Sequence, residues 1–272
     1  MVARRFSPAA RPPSFGGRYR GQVAVVTGAS AGLGAQLCRD LARAGAIVVG
    51  LARNADRLAA LDAELRAYSP GVTTIRCDVA DTAALRRVLD DVATAHGPVD
   101  LLVNNAAFDP GIRLVEITED DFRRTFDVNF FAPVAATLAV LPAMRARGGG
   151  TVVNISSDGG RLPSPGPGAY PSSKAALSAF TESASFRLGP NGVRLHVVYP
   201  AFMATELGVG ALGRGLRRPP RLTTRSVEHV SHRILAEAGG PRTEISVSGL
   251  IDAATVFRAL MPRTYHRLRR SW

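Results

Sequence analysis

The run Val23-Ala24-Val25-Val26-Thr27-Gly28-Ala29-Ser30-Ala31-Gly32-Leu33-Gly34 decides the fold. Its first four residues, small or β-branched and all apolar, read as a buried strand that stops at Thr27-Gly28. From Leu33 to Ala44 the apolar residues recur at helical spacing. Strand, glycine turn and helix in that order place free N–H groups and a positive helix end just beyond the strand. That is the seat of a dinucleotide pyrophosphate, spaced here Gly28-x-x-x-Gly32-x-Gly34, with Ser30 and Leu33 completing the cradle.

Outward from this unit the alternation continues. Short apolar runs at Ala46–Leu51, Thr73–Cys77, Val99–Val103, Thr151–Ser156 and Val193–Tyr199 are strand candidates. Helical patterns fall between them, at Ala55–Ala67, Thr82–Ala95 and about 119–145 and 169–188, and Glu244–Val247 offers a seventh strand. Strands separated by such helices predict an α/β protein: a Rossmann-type doubly wound parallel sheet of about seven strands with helices on both faces. Residues 21–250 then form a single cofactor-binding catalytic domain in which 202–225 make a substrate loop. Residues 1–20 read as a flexible basic extension, and 251–272 as a helical, basic C-terminal one.

The net charge of +12 suggests nucleic acid until it is mapped. Residues 1–20 carry five Arg and no acid, and 258–272 carry the same. A third cluster, Arg214, Arg217, Arg218, Arg221 and Arg225, lies in the substrate loop. The excess therefore sits on tails and one loop, so no nucleic-acid partner is expected. The longest apolar stretch, Phe130 to Leu141, is broken by Pro133 and is too short for a bilayer. No apolar leader precedes the first strand. Cys38 and Cys77 cannot build a disulfide framework or a usual zinc site, and they read as buried thiols of a cytoplasmic protein. No metal site is expected: His229 and His232 share a helix face without a further ligand nearby.

The end of the second strand bears on the cofactor. A carboxylate there holds a ribose 2′-hydroxyl, whereas a cation there meets a 2′-phosphate. Gly50-Leu51-Ala52-Arg53 has no carboxylate, and Arg53 suits a bidentate phosphate contact, so NADP(H) is preferred over NAD(H). A plain surface Arg is the alternative. Asp78, followed by Val79 at the end of the third strand, suits the adenine amino group, with helix capping as its other role.

The chemistry falls on Tyr170-Pro171-Ser172-Ser173-Lys174, which places Tyr and Lys one helical turn apart. A free phenol titrates near about 10 and needs a neighbouring ammonium to act as a base at neutral pH. Of 34 basic residues, Lys174 is the one lysine, standing where a compact point charge is wanted.

Thr27–Gly34, Asn104–Ala107, Asn129, Ser157 and Tyr170–Lys174, in this order and spacing, resemble the short-chain dehydrogenase/reductase family over about residues 21–206. The resemblance implies a hydride transfer between nicotinamide and a carbonyl or secondary alcohol, with Tyr170 as general acid or base. It implies that Ser157 holds the substrate oxygen; by strand alternation Ser156 should point to the opposite side. It further implies that Lys174 lowers the Tyr170 pKa and binds the nicotinamide ribose, and that Asn129 holds a water leading from Lys174 to solvent. Asn105 would lie against the cofactor ribose, and Pro200, Met203 and Thr205 would line the nicotinamide. The family's glycines after Asn-Asn-Ala and after the strand-ending proline are replaced by Ala107 and Ala201, for which small loop shifts are expected. A non-catalytic NADP(H)-binding sensor or scaffold is the competing reading.

Substrate identity would be set by 107–113, 158–168 and 202–225, where Phe202, Met203, Leu207, Val209 and Leu212 favour a lipophilic carbonyl or alcohol. Ile251, Ala254, Val256, Phe257, Leu260 and Met261 form an apolar stripe, which leaves open a homodimer and a weak membrane-surface contact through the C-terminus.

Overall fold

The structure is a computed structural model and describes residues 15–69, 71–163, 168–213 and 221–270. Expectations for residues 1–14, 164–167 and 214–220, which include Arg214, Arg217 and Arg218, lie outside the described residues, as does the Leu212 side chain.

Seven strands, β1 (Val23–Thr27), β2 (Ile47–Ala52), β3 (Thr73–Arg76), β4 (Leu101–Asn104), β5 (Gly150–Ile155), β6 (Val193–Tyr199) and β7 (Glu244–Ser246), form one sheet. All its pairs are parallel, in the order β3-β2-β1-β4-β5-β6-β7. The first three strands run outward from β1 and the last four outward from β4 on its other side. The crevice at the carboxyl ends of β1 and β4 is therefore the switch point at which such sheets bind ligands.

Period-two alternation sorts the strands onto two cores. Ala24 and Val26 of β1 pack with Leu33, Leu37 and Leu41 of α1 (Gly32–Arg43) and with Leu58 and Leu61 of α2 (Ala55–Leu65). Val23 and Val25 face the opposite layer, with Leu85 and Leu89 of α3 (Thr82–His96). The region expected as one helix over 119–145 is three pieces: α4 (Glu119–Phe126), a π-helical turn Asp127–Phe131, and α5 (Ala132–Ala146). Pro133 causes the break: it cannot donate to the Asn129 carbonyl one turn back, and its ring would strike that oxygen. The whole run Glu119–Ala146 is long and apolar enough to cross a bilayer, contrary to the expectation from Phe130–Leu141 alone. Here it is a core element, burying Ala132, Ala136, Val140 and Met144 against the sheet.

The remaining helices are α6 (Asp158–Arg161), α7 (Ala169–Leu188), α8 (Glu206–Gly213), α9 (Val227–Glu237), α10 (Gly249–Leu260) and α11 (Pro262–Arg270). Buried Asp40 of α1 accepts hydrogen bonds from Ser231 of α9 at 2.7 Å and from Gln36 at 3.1 Å, which ties the two helices together. His229 is exposed, while His232 lies partly buried between the Phe15 ring and the Asp40 carboxylate. No group of three or more metal-ligating side chains occurs among the described residues.

Two expectations for the ends are corrected. The body begins by Phe15, not at Gly21: Tyr19 is buried and its hydroxyl donates to Leu235 O at 2.6 Å, while Arg18 donates to Ala238 O at 2.8 Å. One aromatic and one well-aimed cation anchor a segment whose Arg, Pro and Gly content carries no periodic signal. The apolar stripe of α10 is divided: Ile251, Ala254 and Phe257 turn partly inward, whereas Val256, Leu260 and Met261 are exposed.

Candidate active site

The glycine loop lies at the switch point. Gly28 and Gly32 have φ of +66° and +52°, a region that a side chain makes costly. Gly34 is demanded by contact instead, since a Cβ there would stand 2.2 Å from Gly28 O. No side chain caps α1, so the first-turn N–H groups of Gly32, Leu33 and Gly34 are left for an anion. An uncapped helix end behind a glycine loop fits the pyrophosphate of a nicotinamide dinucleotide.

Thr27 and Asn105 hold this loop to the end of β4. Thr27 Oγ1 accepts from the N–H groups of Asn105 and Ala106, both at 3.0 Å. Asn105 Nδ2 donates to Thr27 O at 2.9 Å and to Gly28 O at 3.3 Å. The side chain expected against the cofactor ribose is thus occupied in shaping the phosphate loop.

Arg53 follows β2, exposed, and makes no hydrogen bond or ion pair among the described residues. Asp78 is exposed and accepts from Ala80 N at 3.1 Å in a local turn, while Asp81 caps α3 through Ala84 N at 2.8 Å. Val79 is buried in the core beside it.

At the carboxyl end of β5 the two serines point apart. Buried Ser156 donates to Lys174 O at 2.9 Å and meets Ser178 Oγ at 2.8 Å, which pins α7 to the sheet. Ser157 opens α6, accepts from Gly159 N at 3.1 Å and lies beside the Tyr170 phenol, whose pKa it lowers. Tyr170 and Lys174 share a face of α7, with Nζ 5.9 Å from the tyrosine ring centroid. Lys174 is 2% exposed, and its ammonium donates to Ile155 O at 2.8 Å.

The electrostatics differ from expectation. Burial pushes the Tyr170 phenol up to about 12; the neighbouring Ser157 hydroxyl opposes this, and the Asp109 and Asp158 charges add to it. Burial likewise pulls Lys174 down to about 7. Desolvation penalises each charged form more than this neighbour stabilises it, so the expected depression of Tyr170 by Lys174 is absent from these residues alone. Asp158, beside the serine, is raised to about 6 by burial against the pull of Arg161, and its Oδ1 is buried without a hydrogen bond.

Asn129 sits in the π-helical turn, fully buried. Its Nδ2 donates to Phe108 O at 2.8 Å and Ser173 Oγ at 3.0 Å, and its Oδ1 accepts from Phe108 N at 2.8 Å. It therefore fixes the 107–113 loop to α7 and does not touch Lys174 directly. Behind it, Asn104 Nδ2 donates to Asn154 Oδ1 at 2.8 Å, and Asn154 Nδ2 donates to Thr181 Oγ1 at 2.9 Å. Asn104 falls in the Asn104–Ala107 motif, but Asn154 and Thr181 were missed, although an Asn in an apolar strand was the signal.

After β6, Pro200 is buried and Met203 packs on the core. Thr205 Oγ1 accepts from Gly208 N at 3.3 Å, and its methyl lies 3.1 Å from where a Gly32 Cβ would stand. Ala201 has φ of +62°, alone among described non-glycine residues. The alanine that replaces the family's glycine here carries a left-handed strain of about 1 kcal/mol. Ala107 takes no such angle, so its methyl is tolerated.

Residues 22–211 match the family model described as short chain dehydrogenase. The chain belongs to this family. The short-chain dehydrogenases are oxidoreductases that interconvert CH–OH and C=O with NAD(P), and so is this chain. A short chain dehydrogenase of Pseudocercospora fijiensis is 38% identical over 74% of this chain, which spans 66% of that protein's length. Dehydrogenase/reductase SDR family member 7B of Bos taurus is 33% identical over 92% of this chain and 80% of its own. A short-chain dehydrogenase crystal structure from Streptomyces avermitilis superposes with a TM-score of 0.77 at 29% identity, covering 92% of this chain and 97% of that one.

Proposed function

We propose that this short-chain dehydrogenase is an NADP(H)-dependent carbonyl reductase for lipophilic ketones or aldehydes, with Tyr170 as the proton donor. The observation that carries the chemistry is that α7 holds Tyr170 and buried Lys174 on one face, with Nζ 5.9 Å from the ring centroid and Ser157 beside the phenol. The cofactor, when bound, supplies the hydride. Ser157 holds the carbonyl oxygen and stabilises charge developing there. Tyr170, kept protonated by burial, gives its proton to that oxygen. Lys174 holds the ribose and restores the proton from its own ammonium. Asn129 keeps the 107–113 loop and α7 in register around these groups.

The preference for NADP(H) rests on Arg53, which is exposed and unpaired among the described residues at the end of β2. Arg53→Ala should weaken NADPH binding about tenfold or more, the scale of one charge-assisted contact, and leave NADH nearly unchanged. Fluorescence titration with both cofactors checks this, and equal weakening of the two would remove the preference. The lipophilic substrate is supported by the apolar Phe202, Met203, Leu207 and Val209. A second subunit is proposed at the exposed Val256, Leu260 and Met261 of the C-terminal region.

A further inference from the structure

Arg53 is not the only guanidinium at the end of β2. Arg57 lies one turn on, in the first turn of α2, where its backbone N–H is capped by Asn54 Oδ1 at 2.9 Å. Its Nη1 donates to Glu206 Oε2 at 2.8 Å, and its other donors have no partner among the described residues. Glu206 is the first residue of α8, and the preceding Thr205 rests its methyl against Gly32 of the glycine loop. The pair therefore runs from α2 to α8 past the phosphate loop, and Arg57 stands four residues beyond Arg53 in the chain. Both partners are well exposed, 48% for Arg57 and 71% for Glu206, so the bond is of the weak, exchangeable kind.

The geometry points to Arg57 as a second ligand for the 2′-phosphate of an adenosine nucleotide, with Glu206 as its resident competitor. The inference rests on the NADP(H) reading and deepens it. A phosphate brings more charge and three acceptor oxygens to a planar guanidinium that a single carboxylate oxygen engages here. The 2′-phosphate takes Arg57 from Glu206, and the start of α8 loses its tie to α2. A nucleotide without that phosphate leaves the pair intact. Glu206 thereby sets how strongly phosphorylated cofactor is preferred, and it couples that choice to the segment over the substrate side.

The test uses the full chain with two probes, adenosine 2′,5′-bisphosphate and adenosine 5′-monophosphate, titrated by calorimetry. Glu206→Gln should tighten the bisphosphate about three- to fivefold, the scale of an exposed ion pair, and leave the monophosphate unchanged. Arg57→Gln should weaken the bisphosphate about tenfold and abolish the effect of Glu206→Gln in the double variant. Amide exchange over 206–213 should quicken in the wild type with the bisphosphate and not with the monophosphate. A wild-type preference for the bisphosphate that Glu206→Gln leaves unaltered overturns the role of Glu206 and spares the NADP(H) reading. No wild-type preference between the probes overturns both.

Discussion

Tyr170→Phe is expected to lower carbonyl reduction by roughly 10²–10⁴-fold, the usual contribution of a positioned proton donor. The phenol lies beside Ser157 and is held protonated near neutral pH by burial. Phenylalanine fills nearly the same volume, so the body should lose about 1 kcal/mol or less for the missing hydroxyl. NADPH affinity, read by fluorescence titration, should stay within about twofold, because the phosphate loop and Arg53 are untouched. Turnover in the variant equal to the wild type would remove Tyr170 from the mechanism and restore the reading of a binding protein that does no chemistry.

Lys174→Met is expected to separate stability from activity. Burial holds the folded lysine near 7, whereas an unfolded lysine titrates near about 10.4. Below pH 7 both states are charged, and the folded state carries the full penalty of a buried ammonium. Between about 7 and 10 the unfolded chain holds a proton that the folded chain has lost, so the wild type gains stability as pH rises. The penalty removed across that window is on the order of 4 kcal/mol as an upper bound. The methionine variant should therefore melt several degrees above the wild type near pH 6.5, and the gap should shrink steadily toward pH 10. Reduction should fall about 100-fold or more, since the ribose contact and proton supply are both lost. A gap that widens with pH would show that Lys174 is stabilised by its surroundings.

Much of the frame was legible because its signals are local. Strand runs and helical spacing around Gly28–Gly34 predicted the parallel sheet, and the i, i+4 relation of Tyr170 and Lys174 already put them on one face. The opposed directions of Ser156 and Ser157 followed from the strand's alternation. What was missed has no local period. Arg57 and Glu206 are 149 residues apart in sequence, and Tyr19 reaches Leu235 across 216. The widened turn at Asn129 needed the clash with Pro133 to be followed through the helix geometry. The inverted charge balance at Tyr170 and Lys174 depends on burial, which residue type and spacing do not report.

Hydride transfer from a phosphorylated nicotinamide to a carbonyl leaves its mark on the product. Its most direct test is mass spectrometry of products from a panel of lipophilic ketones and aldehydes incubated with NADPH deuterated on each face of C4 in turn. One deuterium is expected on the carbinol carbon from one of the two labelled faces, with NADPH consumed in equal amount and NADH a poorer donor. NADPH that binds yet yields no deuterated alcohol from any member of the panel would contradict it.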